Sequence, residues 1–182
     1  MLKIIFLPES DWMDYSEAVE GYERIWKEDG GKMVGILEKI SGLKFKETLI
    51  NVVVFKARMP SHAYPMALRA DLSEERMRAV LIHELGHRLL NGNGIKLVGK
   101  GGKPAADMEL EQHKNLSLIL YDVWVEVYGK DFADRNVDLD FTLKRTTALR
   151  KAWKWALKFS KEERKRKFQE LVEKSSELTK NG

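Results

Sequence analysis

Apolar positions along the chain follow two periods. Leu2 to Leu7 is a short apolar run that reads as a strand. Leu49-Ile50-Asn51-Val52-Val53-Val54-Phe55 is β-branched and nearly all apolar, which predicts a strand buried on both faces. Met66 to Ala70 reads as a third, short strand, placed at an edge because Pro65 cannot donate to a ladder. Helical spacing runs from Tyr15 to about Leu43, with a break expected at Gly30-Gly31. Asp71-Leu72-Ser73-Glu74 supplies cap residues and first-turn acids to a helix that reaches about Leu90 and stops at Asn91-Gly92. Gly92 to Gly102 holds five glycines and reads as a mobile loop. A second long helix spans about Ala105 to Tyr128 and ends at Gly129. Asp131 to Asp140 reads as a polar connector, and two further helices follow, about Phe141–Phe159 and Lys161–Leu178, the latter capped by Ser160. The order predicts an α+β fold, with helices packed on one face of a small, mostly antiparallel sheet. A body over residues 1–140 then carries a basic helical extension over residues 141–182.

Composition narrows the chemistry. The chain has 182 residues and no cysteine, so any metal must be held by His and carboxylates. No apolar run approaches the roughly 20 residues of a membrane-spanning helix. The apolar stretch at the start is too short for a secretion signal, and a cytoplasmic location is expected. Between Phe141 and Gly182 there are 13 Lys and Arg against 5 Asp and Glu, leaving 19 against 23 in the preceding residues.

The informative segment is Val80-Leu81-Ile82-His83-Glu84-Leu85-Gly86-His87-Arg88-Leu89-Leu90. On a helix His87 lies about 40° round from His83, so both imidazoles reach one ion, while Glu84 lies about 60° beyond His87. That placement suits a carboxylate which does not ligate the metal but takes a proton from water beside it. A random His-Glu-x-x-His arises in a chain of this composition roughly once in a hundred. Without partners, two imidazoles and a carboxylate in an apolar helix cost several kcal/mol.

This motif resembles that of the zincin metallopeptidases. Val80 meets their preference three residues before the first His, and Leu81, Leu85, Gly86 and Leu89 are uncharged as that signature asks. Arg88 departs from it. The resemblance covers about residues 44 to 128 and is closest to small archaeal minigluzincins and the gluzincin-like group. It implies Zn²⁺ bound by His83, His87 and a downstream Glu. Glu111, 24 residues after His87 and one turn before Asn115, matches best, with Asn115 orienting a ligand from behind. Glu109 and His113 are the alternative ligands, and His113 also suits a role behind the ligands or beside the transition state. The resemblance further implies that Met66, Ala67, Leu68, Arg69 and Ala70 form the edge strand to which an extended peptide or protein substrate adds. Tyr121, Tyr128, His113 and Arg145 fit the oxyanion-stabilising role by residue type.

In the basic tail, Phe141, Leu149, Ala152, Trp153, Ala156 and Phe159 recur at helical spacing with lysines elsewhere on the wheel, which predicts an amphipathic helix docked on the body. Lys161 to Lys167 mixes both signs and reads as a solvated helix; a nucleic-acid contact is the competing explanation of the charge. The expected function is a zinc-dependent metallopeptidase with Glu84 as general base. The alternative is a latent enzyme, or a zinc-stabilised interaction or nucleic-acid-associated module without proteolysis.

Overall fold

The computed structural model describes residues 2–10, 14–56, 59–95, 105–142 and 147–180. In chain order they form β1 (Lys3–Pro8), α1 (Ser16–Ser41), β2 (Leu49–Phe55), β3 (Ala67–Arg69), α2 (Glu74–Gly92), α3 (Ala105–Tyr128), α4 (Lys130–Thr142), α5 (Thr147–Ala156) and α6 (Lys161–Lys180). Helix and strand are mixed as expected, but the three-stranded sheet, ordered β1-β2-β3, is parallel throughout rather than mostly antiparallel. The reason is the connections. α1 carries the chain back along the sheet before β2, and the segment between Phe55 and Ala67 is long enough to do the same before β3.

Burial along β1 and β2 alternates. Leu2, Ile4, Phe6, Ile50, Val52 and Val54 face the helices, while Ile5, Leu7 and Leu49 face outward. β2 is therefore not buried on both faces, because no helix among the described residues covers the far side. Nor does α1 break at Gly30-Gly31. A Cβ on Gly30 would lie 2.6 Å from the Trp26 ring, so this glycine serves the packing of its own helix.

α3 is the central helix. Leu116, Leu118, Ile119, Leu120, Val123, Trp124 and Val127 are all buried, with α1, α2, α4, α5 and α6 packed round them. Gly129, at φ +92°, lets the chain turn from α3 directly into α4. The polar connector expected at Asp131 to Asp140 is thus a helix. Its buried positions are Phe132, Ala133, Asn136, Val137 and Asp140, a helical stripe in which two polar residues stand where apolar ones would mark the period.

α5 joins the same core through Leu149 and the fully buried Trp153, whose ring centroid lies 5.5 Å from that of Trp124. Residues 143–146, including Arg145, lie outside the described residues, as does most of the glycine-rich loop, residues 96–104. Ser160 caps α6 as expected and forms a capping box with Glu163: Glu163 N donates to Ser160 Oγ at 3.2 Å, and Ser160 N to Glu163 Oε2 at 2.8 Å. The segment is not uniformly solvated, however. Arg164 is buried, donates to both Asp122 oxygens at 3.0 and 2.8 Å and to Phe159 O at 2.7 Å, and so fastens α6 to α3.

Candidate metal centre

α2 starts where Ser73 accepts a hydrogen bond from Arg76 N, and its length brings His83, Glu84 and His87 to the middle of the fold. His83 Nε2 and His87 Nε2 lie 3.1 Å apart. If each stands about 2.05 Å from one ion, that separation subtends roughly 100°, close to a tetrahedral angle. The third member comes from α3. The ring centroid of His113 is 5.4 Å from that of His83 and 5.2 Å from that of His87, and the His83–His87 centroids are 4.8 Å apart. One ligand atom from each of the three falls within 4.8 Å of the others.

His113, not Glu111, is therefore the residue that α3 brings to the pair. Glu111 is 45% exposed and pairs with Lys114 at 2.9 Å on another side of the helix. Glu109 is exposed and contributes only its backbone, whose carbonyl lies 2.8 Å from His113 Nδ1. A carbonyl only accepts, so Nδ1 carries the proton and Nε2 keeps its lone pair for a metal. Asn115 stands about 200° round α3 from His113 and has no hydrogen bond to the cluster among the described residues.

All three imidazoles are held neutral. Burial pushes His83 well below the ordinary histidine range, with His87, His113 and Arg76 adding to it. Burial, then the facing His113, lowers His87 to about 3. Burial also lowers His113, against the opposing pull of the Glu109 carbonyl. Neutral imidazoles with ligand atoms this close together could hold a divalent ion of the zinc type. Glu84 is 5% exposed, and desolvation raises it to about 8. It has no hydrogen-bond partner among the described residues. A cation seated between the histidines would favour its ionised form.

Two features of the site were not legible as chemistry. Gly86 lies against Leu116: a Cβ there would sit 2.5 Å from Leu116 Cδ1, so a side chain of α3 sets the close approach. Arg88, the position unlike the zincin signature, pairs with Glu47, donates to Ala63 O at 2.7 Å and lies 4.5 Å over the Tyr64 ring. It ties α2 to the loop ahead of β3. Behind the cluster Arg76 pairs with Asp140 and donates to Asn136 Oδ1 at 3.1 Å, while Trp153 Nε1 donates to Asp140 Oδ2 at 3.0 Å. Tyr121 and Tyr128 are committed elsewhere, to Asp134 at 2.7 Å and Asp29 at 2.6 Å.

β3 is an edge strand, but its outer edge is already engaged. Ala67 exchanges both backbone bonds with His62, at 2.8 and 3.0 Å. Arg69 N donates to Ser61 Oγ at 3.0 Å, and Arg69 O accepts from Tyr22 OH at 2.9 Å. The unpaired amides expected at this strand are thus absent.

No family model matches the chain. Nor does any curated protein or solved structure match it. No helix among the described residues is long and apolar enough to cross a membrane.

Proposed function

We propose that the protein is a zinc-dependent metallopeptidase of the zincin type, with His83, His87 and His113 as ligands. The convergence of three neutral imidazoles carries this reading, together with a buried carboxyl on α2 that has no hydrogen-bond partner among the described residues. Zinc, when bound, supplies a Lewis acid that polarises a carbonyl and makes a neighbouring water acidic near neutral pH. Glu84 then takes the proton from the attacking water and returns it to the leaving amine, so that its charge is restored at the end of each turnover. The apolar walls of α2 and α3 keep that carboxylate out of bulk water. Zinc is favoured over harder cations because all three donors are imidazole nitrogens.

The self-occupied edge of β3 supports a second reading, in which the enzyme is latent until the segment around Ser61 and His62 releases Ala67 and Arg69. One experiment separates these readings. Zinc-loaded wild type and Glu84→Gln are incubated with a mixed peptide library and read by mass spectrometry. Cleavage by wild type alone supports the peptidase. Zinc bound by both proteins with cleavage by neither points to latency or to a zinc-stabilised interaction module. Equal cleavage by both proteins rules out Glu84 as the base.

A further inference from the structure

β1 is the other edge of the sheet. Its alternation exposes Lys3, Ile5 and Leu7, and Glu9, one residue past the strand's end, is exposed as well, with Ile5 at 36% and Leu7 at 47%, and Leu49, the β2 neighbour of Lys3, at 47%. Lys3 N and Glu9 N both donate toward β2, to Thr48 O and Val54 O at 2.9 Å. By the alternation of a strand, Ile4 and Phe6 therefore aim their amides and carbonyls away from the sheet. Among the described residues nothing pairs with them. The β3 edge is closed by its own chain, whereas this one has no charge or proline between Lys3 and Pro8 to discourage an incoming strand.

We propose that β1 is a dimerisation strand, which pairs antiparallel with β1 of a second copy about a two-fold axis at Phe6. The exposed row is its own complement under that operation. Lys3 faces the partner's Glu9, and Ile5 faces the partner's Leu7, each twice. Phe6 exchanges backbone bonds with the partner's Phe6. Pro8, which has no N–H, stands opposite the partner's Ile4, so each side forgoes one bond. Sliding either copy by two residues sets a charge against an aliphatic side chain, Lys3 against Leu7 or Glu9 against Ile5, so this register is the favoured one. The result is a continuous six-stranded sheet with the two β3 strands at its outer edges.

The second copy is chosen over a foreign peptide because both the charges and the aliphatic pairs match under self-pairing. The test is sedimentation over a dilution series. Wild type should move between the 21.1 kDa chain and twice that mass. Lys3→Glu and Glu9→Lys each set like charges in opposition and should weaken the dimer about tenfold, and the double variant should regain wild-type association. Amides of Ile4 and Phe6 should exchange slowly in the dimer and fast on dilution. All substituted positions are exposed, so zinc binding should be unchanged and serves as the control for folding. A monomer at every concentration, or a double variant no better than the singles, overturns the proposal. A dimer that leaves the Ile4 and Phe6 amides unprotected overturns it too.

Discussion

Replacing Gly86 by alanine probes how the histidine cluster is assembled. The added methyl would sit 2.5 Å from Leu116 Cδ1, where ordinary carbon contacts stand at about 3.5–4.0 Å. The overlap is thus about 1 Å. Leu116 is 1% exposed and surrounded by core, so it has little room to swing aside. Relief must come largely from α3 backing away from α2. Leu116 lies one turn beyond His113 on α3, and Gly86 is next to His87 on α2, so the displaced helix takes His113 with it. Zinc–nitrogen bonds hold to 2.0–2.1 Å within about 0.2 Å, and a shift several times that tolerance removes the third ligand from reach.

Two energies then oppose each other. Glycine to alanine in a helix interior gains about 1 kcal/mol, while overpacking a tight core costs about 1–3 kcal/mol. The metal-free variant should therefore be unchanged or less stable by up to about 2 kcal/mol. Its zinc affinity should fall at least 10–100-fold, the range that follows even from disturbing a ligand's support. Competition against a chelator measures the affinity, and chemical denaturation the stability. Adding Leu116→Ala should restore zinc binding, although that truncation alone costs about 2–5 kcal/mol. Gly86→Ala with undiminished zinc affinity and stability raised by about 1 kcal/mol would refute the reasoning, since the contact would then not set the spacing of the helices.

Other substitutions separate ligand, buttress and titration. His113→Ala should abolish tight zinc binding while Glu111→Ala leaves it within about threefold, by the same competition assay, because the Glu111 contact with Lys114 is an exposed ion pair worth little. Asp122→Ala should destabilise the fold by about 3–5 kcal/mol in denaturation, since it strands the Arg164 guanidinium in a buried site. The metal-free protein should be most stable near pH 6.5, the ordinary histidine value. Below it the unfolded chain binds protons that the buried histidines refuse down to about 3 for His87, so stability falls on acidification. Above it Glu84, raised from 4.5 to about 8, releases its proton more readily when unfolded, so stability falls more gently up to about pH 8. Thermal melts should show that alkaline slope vanish in Glu84→Gln; its persistence would place the titration on another group.

The helices and strands that carry plain periods were legible. α2, α3 and β2 fall where apolar spacing, Ser73 and Gly129 put them, and Ser160 marks the start of α6. What misled was a pattern with a second cause. The Val-rich run of β2 looks buried on both sides, yet its register alternates Ile50, Val52 and Val54 inward with Leu49 and Asn51 outward. Gly30-Gly31 looks like a break, yet the Trp26 ring takes up the missing side-chain volume. α4 hid because Asn136 and Asp140 occupy its buried stripe, where Arg76 and Trp153 satisfy them. A residue-by-residue hydropathy cannot see partners supplied from other helices. Strand direction is beyond it as well, since that depends on how each connector returns across the sheet.

The same reasoning explains why half of the site was visible and half was not. His83, Glu84 and His87 share one helix, so their geometry follows from 3.6 residues per turn and needs no tertiary knowledge. The third member of the cluster depends on how α3 rotates about its axis against α2, and Glu109, Glu111, His113 and Asn115 sample that rotation. Between His113 and Glu111, what decides is the seat of Leu116 on Gly86. With Leu116 turned into α2, His113 at one turn before it must also face α2. Glu111, five residues before Leu116, turns about 140° away from that contact, toward Lys114 and solvent. The glycine inside the motif is thus the sequence feature that selects His113 over Glu111, while Glu109 shares the Leu116 face and is set apart by lying about 6 Å farther along α3 than His113.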